Sequence, residues 1–174
     1  MFRIAQPFKE FKLEMTAKVN KHATGTKYGY TPTAEECWGM LHRLDFEIEH
    51  HLFLSTSYFT RLPETTLETF PKLEQGIHVF DFLRKLNKYV HEYLTFDPNI
   101  TDVYTKVTDI LEHRKGVCQD YAHLFISIAR HNKIPSHYVS GYLNQQMGYY
   151  GCTENACLVR MFCSWCRLVR FRTD

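Results

Sequence analysis

The residues best suited to chemistry stand together in Gly116-Val117-Cys118-Gln119-Asp120-Tyr121-Ala122-His123-Leu124. A glycine lets the chain turn sharply, and the cysteine after it falls in the first turn of an apolar helical pattern. Backbone N–H groups at that point lack intrahelical acceptors and carry partial positive charge. They favour a thiolate over a thiol, and they can hold the oxyanion formed when a thiolate attacks a carbonyl. Cys118 is therefore the candidate nucleophile. A cysteine is equally at home as a buried, inert core side chain, and local sequence leaves both readings open.

A nucleophilic cysteine needs a base, and the nearby histidines do not supply one. His123 lies five residues beyond Cys118, about 140° around a helix that turns 100° per residue, so its ring points away from the thiol. His113 precedes the glycine turn and reads as a surface residue. Asp120 suits the first helical turn, where negative charge is favoured, and reads as a bond to local backbone rather than as a catalytic acid.

The elements around this stretch follow from periodicity. His78 to Phe96 carries Val79, Leu83, Leu86, Val90 and Tyr93 at three- and four-residue steps, which predicts a helix with one apolar face. Asp97-Pro98-Asn99 is expected to end it. A shorter helix is expected from about Thr105 to His113, closed by Gly116. The helix opening near Cys118 should run to Asn132, and Pro135 should lead into a strand over His137 to Leu143. Upstream, Thr33-Ala34-Glu35-Glu36 fits a capping box, with a helix following to about Leu44. Residues 45–60 are ambiguous between helix and strand, and Arg61 to Gly76 reads as a polar connection. Residues 2–19 alternate (Phe11, Leu13, Met15, Ala17 against Lys12, Glu14, Thr16, Lys18) as a half-buried strand would, and His22 to Pro32 reads as a loop.

The chain has 174 residues, 44% hydrophobic, 15% aromatic and 23% charged, with a net charge of +2. That composition fits one globular domain and excludes a disordered chain. No apolar run approaches the roughly 18 to 20 residues of a membrane span, and no secretory leader is evident. The balanced charge argues against a nucleic-acid surface. The sequence thus reads as soluble and cytoplasmic, with no nucleic-acid or membrane partner.

Leu111 to Leu124, followed by Ile134-Pro135-Ser136-His137-Tyr138-Val139-Ser140-Gly141-Tyr142-Leu143, resembles the bacterial transglutaminase-like family. Phe96-Asp97-Pro98-Asn99 and Thr101-Asp102-Val103 fit the same pattern, which covers about residues 76–143. The resemblance implies an α+β, papain-like fold in which a helical lobe carries the nucleophile against an antiparallel sheet. It implies that Cys118 attacks an amide carbonyl of a peptide or protein substrate, forming a thioester that is released to water or to an amine. No cofactor is implied, and His137 falls where the family often carries Arg, which implies a solvent-facing side chain. The family's base histidine is expected downstream in a His-Ala-Trp-x-Glu strand, and its orienting Asp in a Phe-Asp-Pro-type strand. Neither motif exists in this chain, so the copy as read is expected to be inactive. The alternative is a non-catalytic binding or structural domain on the same fold. Residues 1–20 resemble the last strands of the β-rich domain that precedes the core in such proteins, most of which would then be missing.

Sequence character changes near Gly151. The tail holds Arg160, Arg167, Arg170 and Arg172 against Glu154 and Asp174, while residues 1–150 balance in charge. Four of the six cysteines (Cys152, Cys157, Cys163, Cys166) lie there, and all ten histidines precede it. Four thiolates could bind zinc, but the close spacing and the absence of a shaping Gly or Pro argue against it. A shifted reading frame explains more. Reading the last two bases of each codon with the first of the next, Met161-Phe162 must give Cys and Trp165-Cys166 must give Gly. Ala156 to Met161 permits His-Ala-Trp-x-Glu, and the following residues permit Cys-Phe-x-Pro-Gly-x-Gly-Trp-x-x-Phe-x-Pro. The missing family segment is thus permitted in order, although Arg172-Thr173 cannot yield the Asp. The expected organisation is a β-rich remnant over 1–30, an incomplete core over 31–150, and an out-of-frame tail over 151–174. Loss of central strands should expose the apolar face of the Cys118 helix and the edge of the strand after Pro135.

Overall fold

The computed structural model describes residues 32–102, 104–141 and 156–161. The expectations for residues 2–19, for all of 22–32 but Pro32, and for Cys152, Cys163 and Cys166 fall outside these. Among the described residues, no helix is long and apolar enough to cross a membrane.

The chain opens with α1 (Ala34–Leu41), and the capping box is present. The Glu36 N–H donates to Thr33 Oγ1 at 3.2 Å and the Thr33 N–H to Glu36 Oε2 at 2.8 Å. The ambiguous stretch after it is helical as far as Leu54, where α2 (Leu44–Glu49) and α3 (His51–Leu54) meet at His50, and residues 55–60 form a bend and a turn. The polar connection contains a short α4 (Glu64–Leu67). It also sends Leu62, Leu67, Phe70 and Leu73 into the core, so its apolar residues anchor it although they lack a period.

The long helix is α5 (Val79–Tyr93), capped by His78, whose imidazole accepts from the Phe80 N–H. Its stripe of Val79, Phe82, Leu83, Leu86 and Val90 is buried. The expected end at Asp97 is too late. Thr95–Phe96 instead forms β1, which pairs in parallel with β2 (Lys115–Gly116). Between these strands lies α6 (Val107–His113). That helix closes on Arg114 in the left-handed region (φ 50°), not on Gly116.

Helix α7 (Cys118–His131) runs through the centre. Leu124, Phe125, Ile126, Ile128 and Ala129 are all buried in one core with α5, α6 and α4. The expected exposure of this face is thus not found. Pro135 introduces β3 (Ser136–Gly141), which pairs antiparallel along its whole length with β4 (Ala156–Met161). The result is a mixed helix and sheet fold, as the papain-like reading requires.

Candidate active site

The nucleophile turn is built by residues 114 to 120. Val117 is extended (φ −106°, ψ 179°), and Cys118 is the first residue of α7. The Cys118 side chain is half-buried at the border of the core. It stands neither in mid-helix nor sealed in the interior.

Asp120 fixes this turn. It is fully buried, and its Oδ2 accepts from the Val117 N–H at 2.7 Å and from Thr101 Oγ1 at 2.6 Å. Its other oxygen has no hydrogen-bond partner among the described residues. Burial raises the carboxyl's pKa above the ordinary range, against the opposing pull of the Thr101 and Val117 bonds. The local-backbone role read for Asp120 is the one observed.

Gly116 serves this contact rather than an unusual backbone angle. A Cβ there would stand 2.6 Å from Asp120 Oδ2 and 2.7 Å from its Cβ. Glycine is required because a buried carboxylate passes over it.

The preceding segment is tied to the same turn. The Thr95 N–H donates to Arg114 O at 2.9 Å and the Asp97 N–H to Gly116 O at 3.1 Å. Lys115 Nζ reaches Asp97 Oδ2 at 3.2 Å, and Gln119 Nε2 donates to Asp102 O at 2.7 Å. Asp97 lies below the usual carboxylate range, chiefly through the Asn99 N–H and then Lys115. Residues 95–102 thus brace the residues on either side of Cys118. Thr101 carries no local signal for this, since its partner is 19 residues away.

His123 does not complete the site. Its ring stacks on Phe59 (centroids 5.4 Å, 15°) and leans against Tyr138 (5.6 Å). Burial lowers its pKa to about 4. His113 is exposed, as expected. His137 departs from the solvent-facing reading: it is half-buried and its ring lies 5.2 Å from that of Phe53. Strand β4, next to β3, contains no histidine. Among the described residues, no cluster of three or more His, Cys, Asp or Glu is arranged to hold a metal.

Several known proteins are similar to parts of this chain. An uncharacterized protein of Mycobacterium leprae (strain TN) is 40% identical over 57 residues, 33% of this chain and 20% of its own length. One from Mycobacterium tuberculosis (strain ATCC 25618 / H37Rv) is 40% identical over 63 residues, 36% of this chain and 20% of its own. The chain thus spans about one fifth of these curated relatives. A candidate cysteine protease from Cytophaga hutchinsonii superposes with a TM-score of 0.59 at 21% identity, covering 72% of this chain and 42% of that one. This likeness establishes the fold. Residues 71–168 match the Transglutaminase-like superfamily core, a range that includes the nucleophile turn, β3 and β4. The chain belongs to the transglutaminase-like superfamily.

Proposed function

We propose that this chain carries the nucleophile half of a transglutaminase-like cysteine acyl-transfer site, acting on amide bonds of peptides or proteins. Cys118 is the attacking group. Its thiolate adds to the carbonyl carbon, the N–H groups opening α7 hold the developing oxyanion, and loss of the amine leaves a thioester. Water or a second amine then releases the acyl group. The observation that carries this reading is the braced turn from Gly116 to Asp120, which starts a helix at a half-buried cysteine. A purely packing cysteine needs no such bracing.

As read, the chain lacks the base that both half-reactions need, and it is proposed to be inactive in turnover. The proposed cause is a frame change near Gly151. Two observations support this. The residues whose shifted reading permits His-Ala-Trp-x-Glu coincide with β4, and β4 lies along β3, the strand that follows the nucleophile helix. The tail also concentrates Cys and Arg and holds no His.

Two measurements test the proposal. An activated ester such as p-nitrophenyl acetate should acylate Cys118 once and stop, leaving an acetyl adduct on that residue by mass spectrometry and none on Cys118→Ala. An unmodified Cys118 would contradict the nucleophile assignment. The nucleotide sequence through codons 145–174 should encode His-Ala-Trp in a shifted frame, and absence of that triplet run would refute the frame change.

A further inference from the structure

A cavity of about 310 Å³ opens between residues 57–60, one side of α7 and β3, lined by Phe59, Thr60, Gln119, His123, Arg130 and Tyr138 among others. That volume is at the small end for ligand sites, enough for one side-chain-sized body. Phe59, the His123 ring and Tyr138 give it flat, largely apolar walls.

Arg130 and His123 sit seven residues apart, two turns along one face of α7. The Arg130 guanidinium is half-buried and bonded to neutral oxygens. Nε donates to Phe53 O (2.9 Å) and Ser136 O (3.2 Å), Nη1 to Thr60 Oγ1 (3.1 Å) and Nη2 to Ser136 O (2.8 Å). Of its five N–H donors, these bonds leave one on each terminal nitrogen. Among the described residues, no carboxylate forms an ion pair with it. A desolvated cation held only by carbonyl and hydroxyl oxygens is an unmet demand for an anion. His123 Nδ1 is buried away from the cavity and has no hydrogen-bond partner among the described residues, so this ring serves the cavity as a wall. At neutral pH the ring is uncharged, so it adds no second cation to the cavity.

We propose that this cavity is a binding site for a small carboxylate with a flat apolar body, such as the free C-terminal carboxylate of an aromatic residue. The Arg130 fork would take the carboxylate, where a charge-assisted pair is strongest. Phe59 and Tyr138 would cover the apolar part. Cys118 does not line the cavity, so the proposal stands apart from that residue's reactivity.

Isothermal titration of the Cys118→Ala chain separates the two. N-acetyl-L-phenylalanine should bind, N-acetyl-L-phenylalaninamide at least tenfold more weakly, and acetate alone more weakly still. Arg130→Gln removes the charge while keeping hydrogen-bonding capacity and should weaken the acid about tenfold. The amide preference needs no variant, so it remains readable if a substitution perturbs folding. Equal binding of acid and amide, or no binding of either by a folded chain, would overturn the proposal, as would acetate binding as tightly as the aromatic acid.

Discussion

At the scale of single residues, the nucleophile turn depends on close approach. Gly116→Ala forces a methyl into Asp120, and neither group can retreat, because Asp120 is held by Thr101 and Val117. The expected cost is about 1–3 kcal/mol in urea unfolding. The cost of Gly116→Ala should shrink when it is measured in an Asp120→Gly chain, since both the carboxylate and the Cβ it would strike are then gone. His123 governs a different observable. Its folded pKa, about 4, lies below the unfolded value of 6.5. Above about pH 6.5 both states are neutral there and its contribution to stability is complete. As pH falls toward 4 the unfolded chain takes up a proton that the fold refuses, and stability drops. The loss should be roughly 2 kcal/mol, allowing for the ring edge that water still reaches. Asp120 acts with the opposite sign, because its pKa is raised in the fold. Denaturation of His123→Phe from pH 7 to 4 isolates the histidine's share, and the variant should show the shallower decline.

At the scale of elements, what could be read from sequence was what is local. The Thr33 and Glu36 box, the stripe of α5 and the opening of α7 at Cys118 each depend on residues within a turn or two of one another. What escaped reading depends on distant partners. β1 and β2 are two residues each and exist only because they pair across the intervening α6. Thr101 gains its role from Asp120, and the connection before α5 gains its order from α7. There Asn132 Oδ1 accepts from the Leu73 N–H at 2.6 Å, while Nδ2 donates to Pro71 O at 3.1 Å and Ile128 O at 2.9 Å. Asn132→Ala should therefore cost about 2–3 kcal/mol, since it strands partly buried backbone groups at residues 71 and 73. Hydrogen exchange should show the 71–73 segment opening first. Unchanged protection there would contradict the tie.

At the scale of the whole molecule, the expected weakness is present but elsewhere. The apolar face of α7 is covered, while Leu44, Ile48 and Leu52 stand 72%, 63% and 71% exposed along α2 and α3. Their four-residue spacing makes one stripe, which periodicity alone could not separate from a strand's. A contiguous exposed stripe promotes association. Sedimentation should show concentration-dependent self-association that Leu44→Gln, Ile48→Gln and Leu52→Gln together abolish. Such a triple variant should leave the nucleophile turn untouched, because Gly116, Asp120 and Thr101 lie on other elements. The most direct test of the whole account is the rate of iodoacetamide alkylation at Cys118 across pH, followed by peptide mass spectrometry. A braced helix start should give a midpoint clearly below the value of about 8.5 of an ordinary thiol. A midpoint at or above that value would contradict it.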